Sequence, residues 1–399
     1  MTAATSAPRR PARAARHARH ARVALLTGGV LTGALVAAGC SRPPPPAAAA
    51  SAQPSQPALP APPAGAAPSG GLSAAELAAI PGRLAFTSDR HGGQHDVFLL
   101  TPGAAGPEVR LTSGPEDEYP AAVLPGGAGL LVVSSRGEGM EHAERLWRVP
   151  LGGGPAVPLL SPRRRVRNPS LAAGGTLAVL EASGKGLSDL RGVPVAGGPE
   201  VLLADAPEGN FDPDVSPDGT RVAFVSSREG DPEVYVVGVD GKGLTRLTAF
   251  HREDVAPRWS PDGRHLVFVS NREGRDRLFV MRPDGTGQRA LTGGAPTGEE
   301  GQAAWSPDGT RLAFVGRVPG GRARLWVVPL EGGAAVPLTD GKSGDEMPAW
   351  APDGRTLAFT SDRTGKGDLY LVRADGTGLT RLTHAEGAAD WLPRWVPGR

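Results

Sequence analysis

The chain has 399 residues, 57 of them glycine and 41 proline, a composition that favours many short strands joined by tight turns over long helices. Its formal charge is +2, from 43 basic and 41 acidic side chains, yet six arginines (Arg9, Arg10, Arg13, Arg16, Arg19 and Arg22) fall within residues 1–40, which hold no acid. Beyond that stretch 37 basic side chains stand against 41 acidic ones, a charge of −4, which excludes the basic field of a nucleic-acid binder.

Residues 1–40 read as an export signal. The arginine-rich start leads into an apolar run from Val23 to Gly39 that ends Leu35-Val36-Ala37-Ala38-Gly39-Cys40. Small residues directly before a lone cysteine resemble the lipobox of bacterial lipoprotein signals, which implies lipidation of Cys40 and attachment to a membrane through that lipid. Cys40 is the one cysteine of the chain, so an internal disulfide is excluded. Ser41 stands where many inner-membrane lipoproteins carry aspartate, which implies the outer membrane and the periplasm.

Residues 41–81 read as a linker. Proline, alanine, serine and glutamine dominate to about Gly71, including Pro43 to Pro46, and such a composition cannot bury enough apolar surface to offset its ordering entropy. At about 3 Å per residue in polyproline II, a tether of roughly 30 residues reaches up to ~90 Å. Ser73 to Ile80 has the pattern of one or two helical turns before Pro81.

Residues 82–399 repeat. Pro257-Arg258-Trp259-Ser260-Pro261-Asp262-Gly263 gives a short extended segment and a reverse turn, and Leu266-Val267-Phe268-Val269-Ser270 gives a buried strand. The same unit recurs at Ser216-Pro217-Asp218-Gly219, Trp305-Ser306-Pro307-Asp308-Gly309 and Trp350-Ala351-Pro352-Asp353-Gly354. A third strand like Asp368-Leu369-Tyr370-Leu371-Val372 and a fourth ending Arg381-Leu382-Thr383 complete it, joined by Asp-Gly turns. Counting second strands by their central residue gives Phe86, Val132, Val179, Phe224, Phe268, Phe314 and Phe359, spaced 44 to 47 apart. That period predicts an all-β fold, a β-propeller of seven four-stranded blades, or six if the third repeat is not a true blade. The domain opens on a second strand at Leu84 and closes on an inner strand at Leu392 to Val396. Pairing of the two would close the ring and remove its free edge.

The Trp-Ser-Pro-Asp-Gly turns, the Ser88-Asp89-Arg90 and Ser361-Asp362-Arg363 strand ends and the Arg-Leu-Thr endings resemble the β-propeller repeats of TolB, the periplasmic component of the Tol–Pal envelope system. The resemblance spans about residues 82–399. It implies a non-enzymatic scaffold for protein–protein interaction, monomeric, whose partner is a Pal-like lipoprotein or another envelope protein. TolB carries an α/β domain before its propeller and has six blades, whereas here a signal and linker precede seven repeats. The alternative class is a carbohydrate-binding or polysaccharide-lyase-like propeller that uses the channel mouth.

Catalytic, cofactor and metal motifs are absent from the sequence: there is no G-x-S-x-G, no Walker loop and no H-E-x-x-H. His251 and His384 follow fourth strands in loops, without a spaced cluster of further ligands. An acid recurs just before each inner strand, at Glu118, Asp254, Glu300, Asp345 and Asp390, with Asn210 standing in once, and the third repeat offers Arg163, Arg164, Arg165 and Arg167 nearby. Two readings stay open: each acid caps its own loop or pairs with a neighbouring blade, or the acids form a charged rim, broken by the arginines, on which a partner docks. The Asp-Arg strand ends read as pairs between blades.

Overall fold

The computed structural model describes residues 70–398, apart from 115, 135–143, 161–164, 173, 184–187 and 293–296. Cys40 and the greater part of the linker lie outside the described residues, as do Arg163 and Arg164.

Each repeat folds into one antiparallel sheet of four strands, and there are seven such sheets. Blade four is typical. Its inner strand Asn210–Val215 is followed by Arg221–Ser226, Glu233–Gly238 and a two-residue outer strand, Thr245–Arg246. The Ser-Pro-Asp-Gly turn between the first two strands holds itself: Ser260 Oγ donates to Asp262 Oδ1 at 2.5 Å, and Gly263 closes the turn at φ +70°. The second strands supply the largest fully buried side chains, with Phe86, Phe224, Phe268, Phe314 and Phe359 completely enclosed. In four blades a threonine two residues past the outer strand accepts from the third strand's backbone, as Thr248 Oγ1 does from Val234 N at 2.9 Å, with Thr112, Thr339 and Thr383 in the same role.

The third repeat is a full blade, with its inner strand at Arg165–Leu171, so the ring has seven blades rather than six. Blade one is assembled from both ends of the domain. The last strand, Asp390–Val396, pairs antiparallel with Arg83–Ser88, bringing Trp395 opposite Leu84 and Asp390 opposite Ser88. No open sheet edge faces its neighbour at the seam.

Tryptophans at the ends of four inner strands tie consecutive blades together. The indole N–H of Trp259, Trp305, Trp350 and Trp395 donates to the carbonyl of Asp214, Arg258, Ala304 and Ala349, respectively, at 3.0–3.2 Å. Each acceptor lies one blade earlier.

Part of the stretch that reads as linker packs on the ring. A short helix, Ala74–Ala79, is capped by Ser73, whose hydroxyl accepts from Glu76 N while the Glu76 carboxylate accepts from Ser73 N. Leu72 and Ile80 join the cluster of Leu84, Phe98, Leu369 and Trp395 at the joint of blades seven and one. Leu72 N donates to Thr380 Oγ1 at 2.6 Å, and Glu76 pairs with Arg373. Residues from blade seven and blade one thus meet the same helix, which covers the seam from outside.

Candidate functional site

All seven inner strands begin at one mouth of the channel. The recurring acids stand there, but buried: Glu118, Asp254, Glu300, Asp345 and Asp390 expose 2% or less, and Asn210 none. A buried carboxylate requires a partner, and the second strand of the same blade supplies one. Arg272 donates to Asp254 at 2.7 Å, Arg363 to Asp345 at 2.8 Å, Arg90 to Asp390 at 2.9 Å and Arg228 to Asn210 at 3.0 Å. Each of these arginines also donates from Nε to the serine two residues before it, as Arg272 does to Ser270 at 2.8 Å. Each guanidinium lies over the blade's aromatic pair, with that of Arg272 4.6 Å from the Phe279 ring centroid. Blade six has Gly316 and Arg317 in the place of the serine and the residue after it, and Glu300 accepts instead from Thr297 Oγ1 at 2.6 Å and Leu278 N at 2.9 Å. In blade two Ser134 Oγ donates to Glu118 at 3.4 Å.

Asp254, Asp345 and Asp390 therefore lock their own blades, Glu300 reaches back to blade five through Leu278 N, and none of the five recurring acids stands open on a rim. The Asp-Arg strand ends also differ from the expectation of pairing between blades: the arginines Arg90 and Arg363 pair within their blade. Asp362 alone reaches across, to Arg322 of blade six at 2.7 Å. His251 and His384 are exposed, and no group of three metal-ligating side chains occurs among the described residues.

One residue further along the inner strands, the mouth becomes aromatic over blades one, two and four, through Trp391, Tyr119 and Phe211. Trp391 stands edge-on to His95 at 4.7 Å, and His95 Nδ1 lies 2.8 Å from the Tyr119 hydroxyl and 2.9 Å from Asp117 Oδ1. Burial raises the Tyr119 phenol above its ordinary range, and the nearby Asp117 and Glu144 charges push in the same direction. Arg167 pairs with Glu144 at 3.1 Å beside this group, and Arg165 lies in the same inner strand. Trp391, His95 and Phe211 all keep partial exposure.

Deeper in, each inner strand bulges. Asn168, Asp212, Ala256, Gln302, Met347 and Leu392 adopt a left-handed φ between 44° and 59°, where non-glycine residues are uncommon. Two residues beyond the bulge, one side chain per blade turns to the channel: Arg394, Ala122, Ser170, Asp214, Arg258, Ala304 and Ala349 from blade one to blade seven. All seven are partly exposed. Arg258 donates to Asp212 at 3.0 Å, and Asp214 accepts from Ser170 Oγ at 3.2 Å and Trp259 N at 2.7 Å. Glu181 Oε1 accepts from Asp212 N at 2.7 Å and Asn168 Nδ2 at 2.8 Å. Burial raises Glu181 to about 7 and Asp214 to about 6, and it raises Asp212 despite the opposing charge of Arg258. This channel layer was missed in the sequence. Its signal is the variable residue of the Pro-x-Trp repeat, arginine in Pro257-Arg258-Trp259 and Pro393-Arg394-Trp395 but small or acidic in the other repeats.

The seven-bladed ring compares with several solved folds. TolB from Acinetobacter baumannii is 19% identical, covering 81% of this chain and 69% of that one, with a TM-score of 0.52. An oligogalacturonate lyase from Vibrio parahaemolyticus is 16% identical, covering 76% and 88%, with a TM-score of 0.59. A puromycin-hydrolyzing peptidase from Mycobacterium tuberculosis is 19% identical with a TM-score of 0.57, and the chain covers 79% of itself but spans only 55% of that enzyme. At these identities the likeness is one of fold. No curated protein matches the chain in sequence. A family model described as the TolB beta propeller domain matches residues 194–301 and 285–398, together just over half the chain, from the end of blade three through the closing strand. With the repeated Ser-Pro-Asp-Gly turns, seven closed blades and that match, the chain belongs to the TolB β-propeller domain family.

Proposed function

We propose that the protein is a non-enzymatic binding module of the bacterial cell envelope, exported and held by a lipid on Cys40, that captures a partner protein at the channel mouth. The observation that carries this reading is the partly exposed pair of Trp391 and His95, backed by the buried Tyr119, beside the Arg167–Glu144 pair. Aromatic anchors next to a charged pair are the chemistry of protein interface centres. Arg163 and Arg164 extend the basic sector of blade three in sequence. The Pro/Ala-rich tether lets the ring reach a partner well away from the membrane.

A second reading is favoured by the same corner of the mouth. An aromatic face beside Asp117 and Glu144 also suits a sugar ring, whose C–H face stacks on indole while carboxylates accept from its hydroxyls. The test is in-cell crosslinking and pull-down of the full-length protein, with Trp391→Ala and Phe211→Ala alongside. Recovery of one stoichiometric envelope protein, lost in Trp391→Ala, supports protein capture. Recovery of the propeller alone, with Trp391-dependent binding on a polysaccharide array, replaces it with the sugar reading. Metabolic labelling with an alkyne fatty acid checks the anchor: a Cys40→Ser chain takes up no label, and an unlabelled wild type refutes lipidation.

A further inference from the structure

Blades one, four, five and seven build the same arginine lock, and blade four is one negative charge short. Arg90, Arg272 and Arg363 each pair with a buried carboxylate, that of Asp390, Asp254 and Asp345, respectively. In blade four the acceptor is the neutral, fully buried Asn210. Its amide donates to the Ala204 carbonyl at 3.1 Å, which leaves its oxygen for the guanidinium. The other acceptors of Arg228 are Ser226 Oγ at 3.0 Å and the Asp205 carbonyl at 3.4 Å, both uncharged. Among the described residues Arg228 has no ion pair, and its Nη1 has no acceptor.

The position that serves Nη1 in other blades is changed as well. Directly before the outer strand, Glu108 of blade one lies 3.3 Å from Arg90 Nη1, and Gln288 of blade five accepts from Arg272 Nη1 at 2.9 Å. The registers of Phe98 with Arg110, Phe279 with Ala290 and Tyr235 with Arg246 put Leu244 at that position in blade four. Leu244 is 43% exposed, and its side chain brings no polar atom. The nearby acids are engaged otherwise: Glu229 and Glu233 share Arg246, and Asp205 meets Arg228 through its carbonyl.

Arg228 is partly exposed, yet held in place. Its guanidinium lies 5.0 Å from the Tyr235 ring centroid, and Ser226 and Asn210 fix its edge, so little rotamer freedom remains to be lost on binding. Apolar surface adjoins it. Asp205 directly follows the outer strand of blade three, Val201–Ala204, whose Val201 and Leu202 are exposed. Gly241, in the hairpin that carries Leu244, packs against that strand: a Cβ there would sit 3.0 Å from the Leu202 carbonyl oxygen.

We propose that this outer wall of blades three and four docks an extended segment of a partner protein, which presents a carboxylate to Arg228 and an aliphatic side chain to Leu202 and Leu244. Charge decides the chemistry: a fixed guanidinium with free N–H groups and no anion of its own matches a carboxylate. Size decides the occupant. Three half-exposed aliphatic side chains fall well short of the roughly 800 Å² per partner of a standard interface, so the surface suits a peptide segment rather than a second ring. It is separate from the aromatic mouth, and Trp391→Ala is expected to leave it unchanged.

The test follows the Nε–H signal of Arg228 by heteronuclear NMR in the full-length protein, the signal being identified by its absence from Arg228→Lys. The probe is N-acetyl-L-leucine, one carboxylate beside one aliphatic side chain. N-acetyl-L-leucinamide lacks the charge, and inorganic phosphate lacks the side chain. Wild type is expected to show a saturable shift with N-acetyl-L-leucine and none with the amide. Leu244→Glu installs the counterpart of Glu108 at an exposed position, and is expected to weaken probe binding by about tenfold or more, the scale of a lost charged hydrogen bond. Asn210→Asp supplies the carboxylate of the other blades and is expected to act in the same direction. No saturable shift in wild type, an equal shift with the amide, or unchanged binding in Leu244→Glu would each overturn the proposal. A response to phosphate equal to that of N-acetyl-L-leucine reduces the site to general anion screening and overturns it also.

Discussion

The indole N–H of Trp395 donates to the carbonyl of Ala349 at 3.0 Å, so the last strand of the chain is fastened to blade seven while its backbone pairs with blade one. The end of the chain is therefore the keystone of the ring. Deleting residues 389–399 removes the inner strand of blade one and exposes the edges it covered, and the melting temperature is expected to fall markedly. Trp395→Phe keeps most of the buried ring but loses one hydrogen bond, and is expected to cost about 1 kcal/mol. Thermal denaturation of the two variants checks the order; unchanged melting of the truncated chain would refute closure by this strand.

The buried arginine–acid pairs give a second expectation. Arg272 and Asp254 expose 9% and 0% of their side chains, so removing one partner leaves an enclosed charge. Arg272→Ala should destabilise by roughly 3–5 kcal/mol, the usual cost of breaking a buried pair from one side. Asp254→Asn should cost less, since Asn210 already serves in that place against Arg228. Urea denaturation measures both, and equal stability of Arg272→Ala and wild type would remove the pair from the account of blade packing.

Glu181 and Asp214 set a pH dependence. Their folded values, about 7 and about 6, lie above the ordinary 4.5 and 3.8, so the folded chain holds these protons to higher pH than the unfolded chain does. Stability from this source is full below about pH 4 and declines as pH rises from there through 7. Exposed aspartates held low, such as Asp308 at about 2, act in the opposite sense: their contribution is present above about 3.8 and is lost as pH falls toward 2. The melting temperature should therefore be highest near pH 5 and several degrees lower at pH 7.5. Glu181→Gln retains an acceptor for Asp212 N, and should flatten that decline and raise the melting temperature at pH 7.5.

The helix over the seam can be dislodged from a distance. Gly103 has φ +72°, and a Cβ there would sit 2.5 Å from the backbone nitrogen of Ala78. Gly103→Val should push the helix Ala74–Ala79 off the joint and cost more than 1 kcal/mol, through backbone strain and loss of the packing of Leu72 and Ile80. Hydrogen exchange of residues 72–80 should accelerate. Unchanged protection there would show that the helix does not depend on this contact.

What the sequence by itself determined is local and periodic. Pro261-Asp262-Gly263 and its counterparts announce turns because the chemistry of a turn lies within four residues, and the spacing of Phe86, Phe224, Phe268, Phe314 and Phe359 carries the blade count because each blade repeats one buried position. Even closure was legible, since a lone second strand at one end and a lone inner strand at the other complete each other. What only the tertiary structure decided is the standing of charged residues. Asp254 and Asp390 look alike in sequence whether they face solvent or an arginine, and burial beside Arg272 and Arg90 made them locks rather than a rim. Ser73 to Ile80 looked like the end of a tether until Leu72 and Ile80 met the seam. Arg394 and Arg258, 136 positions apart in the chain, come to hold equivalent positions on the channel wall only when the ring closes. Ring geometry turns a variable position in a repeat into a single shared surface, and no local pattern can encode which blades face each other across it.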